Sequence, residues 1–416
     1  MYFKLSKNKS VPLKKVSAKL SFDLYEKVRN KLCRADSRAV GFVGNKLLSG
    51  QEFTLFRASN GVKSLHSWDG KLALGYADRF DVVNATNDEN VFIRLNNDGS
   101  AQATFNPTTK IGIYADRHGG VCTSSQDNDS TEVEVQFSCV GQGAYRLWGG
   151  WQNWLYYTDV CEYCWYLDEE ARQNKIVFEN DVRSIVGYGK SVFVLTEDKL
   201  YRIDTDADFA KFKLTLVASD FGSVIGSSVM QNSKLYFATT DGICRFDVNS
   251  DKIQTLLSAE SFGKKITSAR FGVWQSCVYA SVCQDTVLKL VGDKVLQIWT
   301  LPHSGFVADV FGVYVLQTNG IYVLSDDYEN RYYQSAPCDL GICGEKTVIG
   351  MEICTARDVS VTVQSSEGCF CANVVGSGGF TFVPLTLRGK TFTVRLEGAD
   401  IAVEYFNLVA TAIKED

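Results

Sequence analysis

The chain has 416 residues, of which 45% are hydrophobic and 22% charged, with a formal net charge of −5. This is a globular composition with ample apolar material for cores, and its acidic balance argues against a surface devoted throughout to nucleic acid. No run of 18 apolar residues occurs, so no membrane-spanning helix is expected.

Residues 1–35 come first and are basic: ten Lys/Arg, among them Lys4, Lys7, Lys9, Lys14, Lys15 and Lys19, face only Asp23 and Glu26. In "MYFKLSKNKSVPLKKVSAKL" no apolar stretch follows the lysines as it would in a secretory signal, so synthesis in a cytoplasm without signal-directed secretion is expected. Two readings stand. One is a solvated tail leading into a strand, "AKLSFDLY", that helps to close the next domain. The other is a basic arm that docks on an acidic neighbour or on phosphate.

Residues 36–335 repeat. Aligned on one strand per unit, "KLALGYADRFDVV" starts at Lys71, "KIGIYADRHGGVC" at Lys110, "WLYYTDVCEYCWYL" at Trp154 and "SVFVLTEDKLYRID" at Ser191. "KLYFATTDGICRFD" follows at Lys234, "CVYASVCQDTVLKL" at Cys277 and "GVYVLQTNGIYVLS" at Gly312, with intervals of 35 to 44 residues. Alternating apolar residues (Val192 and Val194, Leu235 and Phe237, Val313 and Val315) predict a strand with one buried face. Asp241-Gly242 and Asn319-Gly320 predict two-residue hairpin turns with positive φ, each leading to a second strand.

A period near 40 residues with several short strands and no helical periodicity predicts a β-propeller. Seven units imply seven blades; the weaker matches before residue 150 leave six or eight open. Residues 336–416 break the rhythm. Six strand-like runs there, from "KTVIGMEIC" to "IAVEYFNLVATAI", predict a small antiparallel β-sandwich. The expected fold is therefore all-β: a basic arm and ring-closing strand over 1–35, a propeller over 36–335 and a β-sandwich over 336–416.

Few constellations suggest chemistry. Asp204, Asp206 and Asp208, and likewise Asp247, Asn249 and Asp251, alternate as in a calcium loop. Yet Phe209 and Lys252 replace the glycine such a loop needs, and Thr215 and Ser258 replace its glutamate. Turn chemistry suits these residues better. Cys161 and Cys164 are spaced like half a zinc site, and Cys338/Cys343 and Cys369/Cys371 form further close pairs. Buried apolar thiols are the simpler expectation, with a four-cysteine zinc site as the alternative.

Only three histidines occur, His66, His118 and His303, and no nucleophile-elbow, phosphate-loop or zinc-protease motif is present. No catalytic residue, metal or cofactor is therefore assigned, and the chain is expected not to be an enzyme. In "YRLWGGWQNWLYY", Trp154 is expected in a core strand, with Trp148 and Trp151 flanking a turn at Gly149-Gly150. Turn tryptophans either pack under a loop or face a partner or a sugar ring, so Trp148 and Trp151 are candidate binding residues.

A propeller with a basic arm, a terminal β-sandwich and no catalytic motif resembles the nozzle or tail-hub proteins of short-tailed bacteriophages. "LRGKTFTVRLEGADIAVEYFNLVATAI" (Leu387–Ile413) is similar to the closing strand pair of such virion proteins. The resemblance implies a virion location and a homo-oligomeric ring bound to adaptor, portal or tail subunits, through which DNA passes. The rival readings are a carbohydrate-binding or host-recognition propeller, a hydrolase, and a cytosolic scaffold.

Overall fold

Short runs rich in valine, isoleucine and aromatic residues, broken every few residues by turn formers, favour strand over helix throughout. Among the described residues of the computed structural model, strands account for nearly all regular structure, with 3-10 turns at Phe209–Lys211 and Ala259–Phe262. The structure describes residues 2–5, 9–19, 36–38, 40–43, 46–84, 88–93, 97–116, 119–124, 129–133, 136–162, 174–206, 208–325, 331–335, 337, 340 and 344–413. They form two compact units, one of Phe53–Lys294 with Ile298–Leu324, the other of Met1–Glu52, Val295–Gln297 and Ser325–Asp416.

Among the described residues the first unit contains seven antiparallel sheets in chain order. They begin at strands Ser64–Trp68, Gln102–Asn106, Cys139–Gly143, Val182–Tyr188, Val229–Gln231, Ser268–Trp274 and Gly305–Asp309. The first six each run through four successive strands. The sixth gains the short strand Ile225–Gly226, which lies parallel to Ser268–Trp274. The seventh has only three strands of its own and takes its fourth, Glu52–Arg57, from before the first sheet. The strand that completes the last sheet is thus Glu52–Arg57; of the ring-closing strand expected at 18–25, residues 20–25 lie outside the described residues.

Cores lie between consecutive sheets. Trp68, Phe80, Phe105 and Tyr114 join the first to the second, and Ile113, Phe137, Leu147 and Tyr156 join the second to the third. Trp148, Tyr157, Val182 and Val192 join the third to the fourth, and Phe193, Leu195, Leu235 and Phe237 the fourth to the fifth. Tyr279, Trp299, Phe306 and Val313 join the sixth to the seventh. Leu65, Leu72, Leu74, Leu316 and Ile321 then join the seventh back to the first. Neighbouring residues therefore serve opposite faces: Val192 and Val194 pack toward the third sheet, while Phe193 and Leu195 pack toward the fifth. The predicted single buried face becomes two, which explains the nearly continuous apolar runs.

Three expectations shift in register. Most strands aligned by the repeat are the second of their sheets, but Trp154–Tyr157 is the third of its sheet, after Arg146–Trp151. Thr239 pairs with Gly242 and Gln317 with Gly320, so both glycines open strands instead of occupying turns. At Gly242 the reason is space: a Cβ there would lie 2.5 Å from the Leu257 carbonyl oxygen.

The second unit stacks two sheets on one core. One sheet runs in the order Tyr2–Leu5, Lys9–Lys19, Ala402–Ile413, Lys346–Thr355, Phe380–Gly389, with Lys46–Ser49 also on Ala402–Ile413. The other runs Asp36–Arg38, Arg331–Gln334, Phe392–Gly398, Val359–Ser365, Gly368–Val374. Met351, Ile353, Phe406 and Leu408 of the first meet Val361, Val363, Val394 and Leu396 of the second. All six runs predicted after residue 336 are strands, but Phe392–Gly398 and Ala402–Ile413 belong to different sheets and are not a strand pair.

The basic residues are not a free arm. Lys4, Lys9, Lys14, Lys15 and Lys19 stand on a hairpin whose second strand pairs with Ala402–Ile413, Leu13 opposite Ile413 and Lys19 opposite Asn407. Lys7 and residues 20–35 lie outside the described residues. The expected boundary at residue 336 also moves, because both chain ends build this unit.

Candidate functional site

The tryptophan stretch resolves first. Gly149 and Gly150 lie inside the strand Arg146–Trp151, and the turn falls at Gln152-Asn153, so Trp151 pairs across it with Trp154. A Cβ at Gly149 would overlap the Phe137 ring, and one at Gly150 would lie 2.7 Å from Cys139 Sγ and from Val182 Cγ1. These glycines let sheets approach and do not make a bend. Trp148 is therefore a strand residue with no exposed surface; its Nε1–H donates to the Gly143 carbonyl at 2.9 Å. It is not available to a partner or sugar. Trp151 is half-buried against the core between the second and third sheets.

The acidic repeats are turns. Asp247 Oδ1 accepts from the backbone N–H of Asn249 and Ser250 at 2.9 and 3.3 Å, and Asp206 Oδ1 from that of Asp208 at 3.1 Å. His118 and Cys164, Cys338 and Cys343 lie outside the described residues.

The cysteines divide by burial. Cys139 and Cys244 are buried, and burial pushes the Cys139 thiol up to about 12 and raises that of Cys244. Cys161, Cys369 and Cys371 are exposed, contrary to the expectation of buried thiols; the last two, two apart on the sheet-edge strand Gly368–Val374, bring their sulfurs to 3.8 Å. Because the thiolate is the reactive form, a disulfide reagent is expected to label Cys161, Cys369 and Cys371 in the native protein and Cys139 and Cys244 only after unfolding. Peptide mass mapping over time checks this, and native-state labelling of Cys139 at the same rate would contradict it.

The polar feature that the sequence concealed is a cavity of about 350 Å³ inside the seven-sheet unit. The initial strands of the first, second, fifth, sixth and seventh sheets line it, through residues that include His66, Ser67, Gln102, Gln231, Arg270 and Asp309. Ser67 Oγ donates to the Asp309 carboxylate, whose other oxygen accepts from the Val310 N–H at 2.7 Å. Gln102 Nε2 donates to the Ser138 carbonyl at 2.9 Å.

His66 is enclosed by the Phe80 and Tyr114 rings, with centroids at 5.6 Å from its own. Its Nε2 lies 2.7 Å from Ser64 Oγ, which also accepts from Asn97 Nδ2 at 3.2 Å. Ser64 Oγ, with one donor proton and two lone pairs, can satisfy either neutral tautomer of the ring while accepting from Asn97. Burial above all, and then the positive charge of Arg270, lower the His66 pKa to about 3. His303 is held alike, between Ser281 Oγ at 2.7 Å and the Leu301 carbonyl at 2.9 Å, and burial lowers its pKa too.

Arg270 differs from the other enclosed arginines. Arg146 donates to the Thr158 and Asp206 carbonyls at 2.7 and 3.2 Å and pairs with Asp159. Arg245 pairs with Asp293 and donates to Gln254. Among the described residues no side chain or carbonyl pairs with the Arg270 guanidinium. Although part of its surface faces the open cavity, it lies deep enough that burial lowers its pKa. In sequence it is one arginine in "SARFGVW"; the available signal was a charge within the initial strand of a repeat unit, where apolar residues otherwise prevail.

No protein-family model and no curated protein matches the chain. Among solved structures, the extracellular domain of the putative one component system BT4673 from B. thetaiotaomicron is similar at TM-score 0.48 and 12% identity, over 81% of this chain and 48% of that one. The chain thus spans about half the length of that structure. The computationally designed Ika8 protein matches at TM-score 0.43 and 10% identity over 65% of this chain and 98% of its own. PorZ, a bacterial surface component of the type-IX secretion system of Porphyromonas gingivalis, matches at TM-score 0.43 and 13% identity, over 81% of this chain and 39% of that one.

Proposed function

We propose that this chain is a non-enzymatic structural subunit of a bacteriophage virion, a seven-bladed β-propeller joined to a β-sandwich, which assembles in the manner of a tail nozzle or hub. Copies of the chain and neighbouring virion proteins are its partners, around the path of the DNA. The order of the cores supports the propeller: six neighbouring pairs of sheets share one, the seventh with the first among them. The borrowed strand Glu52–Arg57 supports it too, since completing the last blade with a strand from the start of the ring fastens a circle against opening.

The observation that carries the assembly reading is the strand Phe380–Gly389. It ends its sheet, and among the described residues no strand pairs with its outer edge. Phe380 is 73% exposed and Phe382 54%, and Val375 just before them 74%. Its first half, Phe380–Val383, shows two phenylalanines ahead of Pro384 and the register shift beside it, and offers a short edge as a template for another chain.

Light scattering on the full chain tests this. The wild type is expected at a multiple of the monomer mass, and the double substitution Phe380→Ser/Phe382→Ser is expected to shift it toward monomer without altering the melting temperature by more than a few degrees. A wild type that stays monomeric at every concentration, alone and with its genomic neighbours, would overturn the proposal.

A further inference from the structure

We propose that the cavity in the seven-sheet unit is a binding site for a small hydroxylated monocarboxylic acid of sugar-acid size, with its carboxylate held by Arg270. The proposal does not depend on the assembly reading, which rests on a strand of the other unit.

The argument begins with charge. An isolated cation enclosed by protein is costly unless something compensates it. Arg146 and Arg245 are compensated by protein groups, whereas Arg270 has no protein partner among the described residues and lines the cavity. A guanidinium in that position presents a fork of N–H donors matched to a carboxylate. The two histidines near enough to feel Arg270 are both enclosed, and burial lowers the pKa of each, so neither adds positive charge.

The rest of the lining narrows the ligand. Asp309 already takes two hydrogen bonds and brings a negative charge, which repels a second anionic group and favours hydroxyl donors. Gln231 adds an amide able both to donate and to accept. One cation and one anion around about 350 Å³ suit a monoanion bearing hydroxyls and disfavour a phosphate dianion. That volume is near the lower limit of small-molecule sites, which excludes an oligosaccharide.

Titration calorimetry with glucuronate, glucose and inorganic phosphate on the full chain tests the assignment, alongside the ring proton resonances of His66. Glucuronate is expected to bind saturably and to shift the His66 signals, because its carboxylate offsets the Arg270 field. Glucose and phosphate are expected to bind at least about tenfold more weakly, and Arg270→Gln to weaken glucuronate by at least about tenfold, the usual range for a charge-assisted hydrogen bond. Asp309→Asn, which keeps the shape of the lining, is expected to narrow the gap between glucuronate and phosphate. If Arg270→Gln fails to fold, the Asp309→Asn result and the His66 shift still decide. No saturable glucuronate binding to the wild type, or equal binding to Arg270→Gln, would overturn the site, and phosphate binding as tight as glucuronate would overturn the ligand class.

Discussion

Between pH 7 and pH 4 the seven-sheet unit is expected to lose about 3 kcal/mol of stability through His66 alone. The ring is buried among Phe80, Tyr114, Ser64 and Asn97, and the nearby charge is the cation Arg270, so nothing around it welcomes a second proton. Its pKa in the folded protein is lowered to about 3 from an ordinary value of 6.5. Below pH 6.5 the unfolded chain binds a proton that the native chain refuses. The stabilisation is therefore complete above pH 6.5 and is lost as the pH falls toward 3, at about 1.4 kcal/mol per unit.

Urea unfolding at pH 7, 6, 5 and 4, followed by tryptophan fluorescence, measures this against His66→Gln, whose amide can still hydrogen-bond Ser64 in either direction. Carboxylates titrate in both proteins and cancel in the difference. The advantage of the wild type over the variant is expected to shrink by about 3 kcal/mol from pH 7 to pH 4. A constant difference would show that His66 is protonated in the native state.

Much of the seven-sheet unit was legible because its strands recur at nearly constant spacing, and each copy must bury the same two faces. The period located the strands but not their place within each sheet: the aligned strand is usually second, and the alignment slipped by one at Trp154–Tyr157. The slip has a physical cause. Gly149-Gly150 looks like a turn by composition, while the glycines are there to admit Phe137, Cys139 and Val182, residues outside their own strand that no local pattern announces. The same holds for Glu52–Arg57 and Lys9–Lys19, whose partner strands lie more than 200 residues along the chain. Arg270 was hidden for a third reason. An arginine on a strand is ordinary until the fold removes its partners, and only three-dimensional neighbours tell Arg270 from Arg146 or Arg245.

Trp148→Ala is expected to cost about 3–5 kcal/mol, the range for truncating a fully buried aromatic side chain. The indole fills space between the third and fourth sheets against Tyr157 and Phe212, at centroid distances of 5.3 and 6.3 Å. Its removal also leaves the Gly143 carbonyl, at a buried strand end, without the 2.9 Å hydrogen bond from Nε1. Little collapse can fill the gap, because Gly143 already touches Gly187 of the next sheet and a Cβ at either would strike the other's backbone. Trp151→Ala, at a half-buried position beside the turn, is expected to cost roughly 1 kcal/mol, the centre of the range for single substitutions. Urea midpoints for the two variants distinguish a structural tryptophan from a recognition surface. Equal and small losses at both positions, with native-like spectra, would mean that Trp148 is not the packing centre of these two sheets.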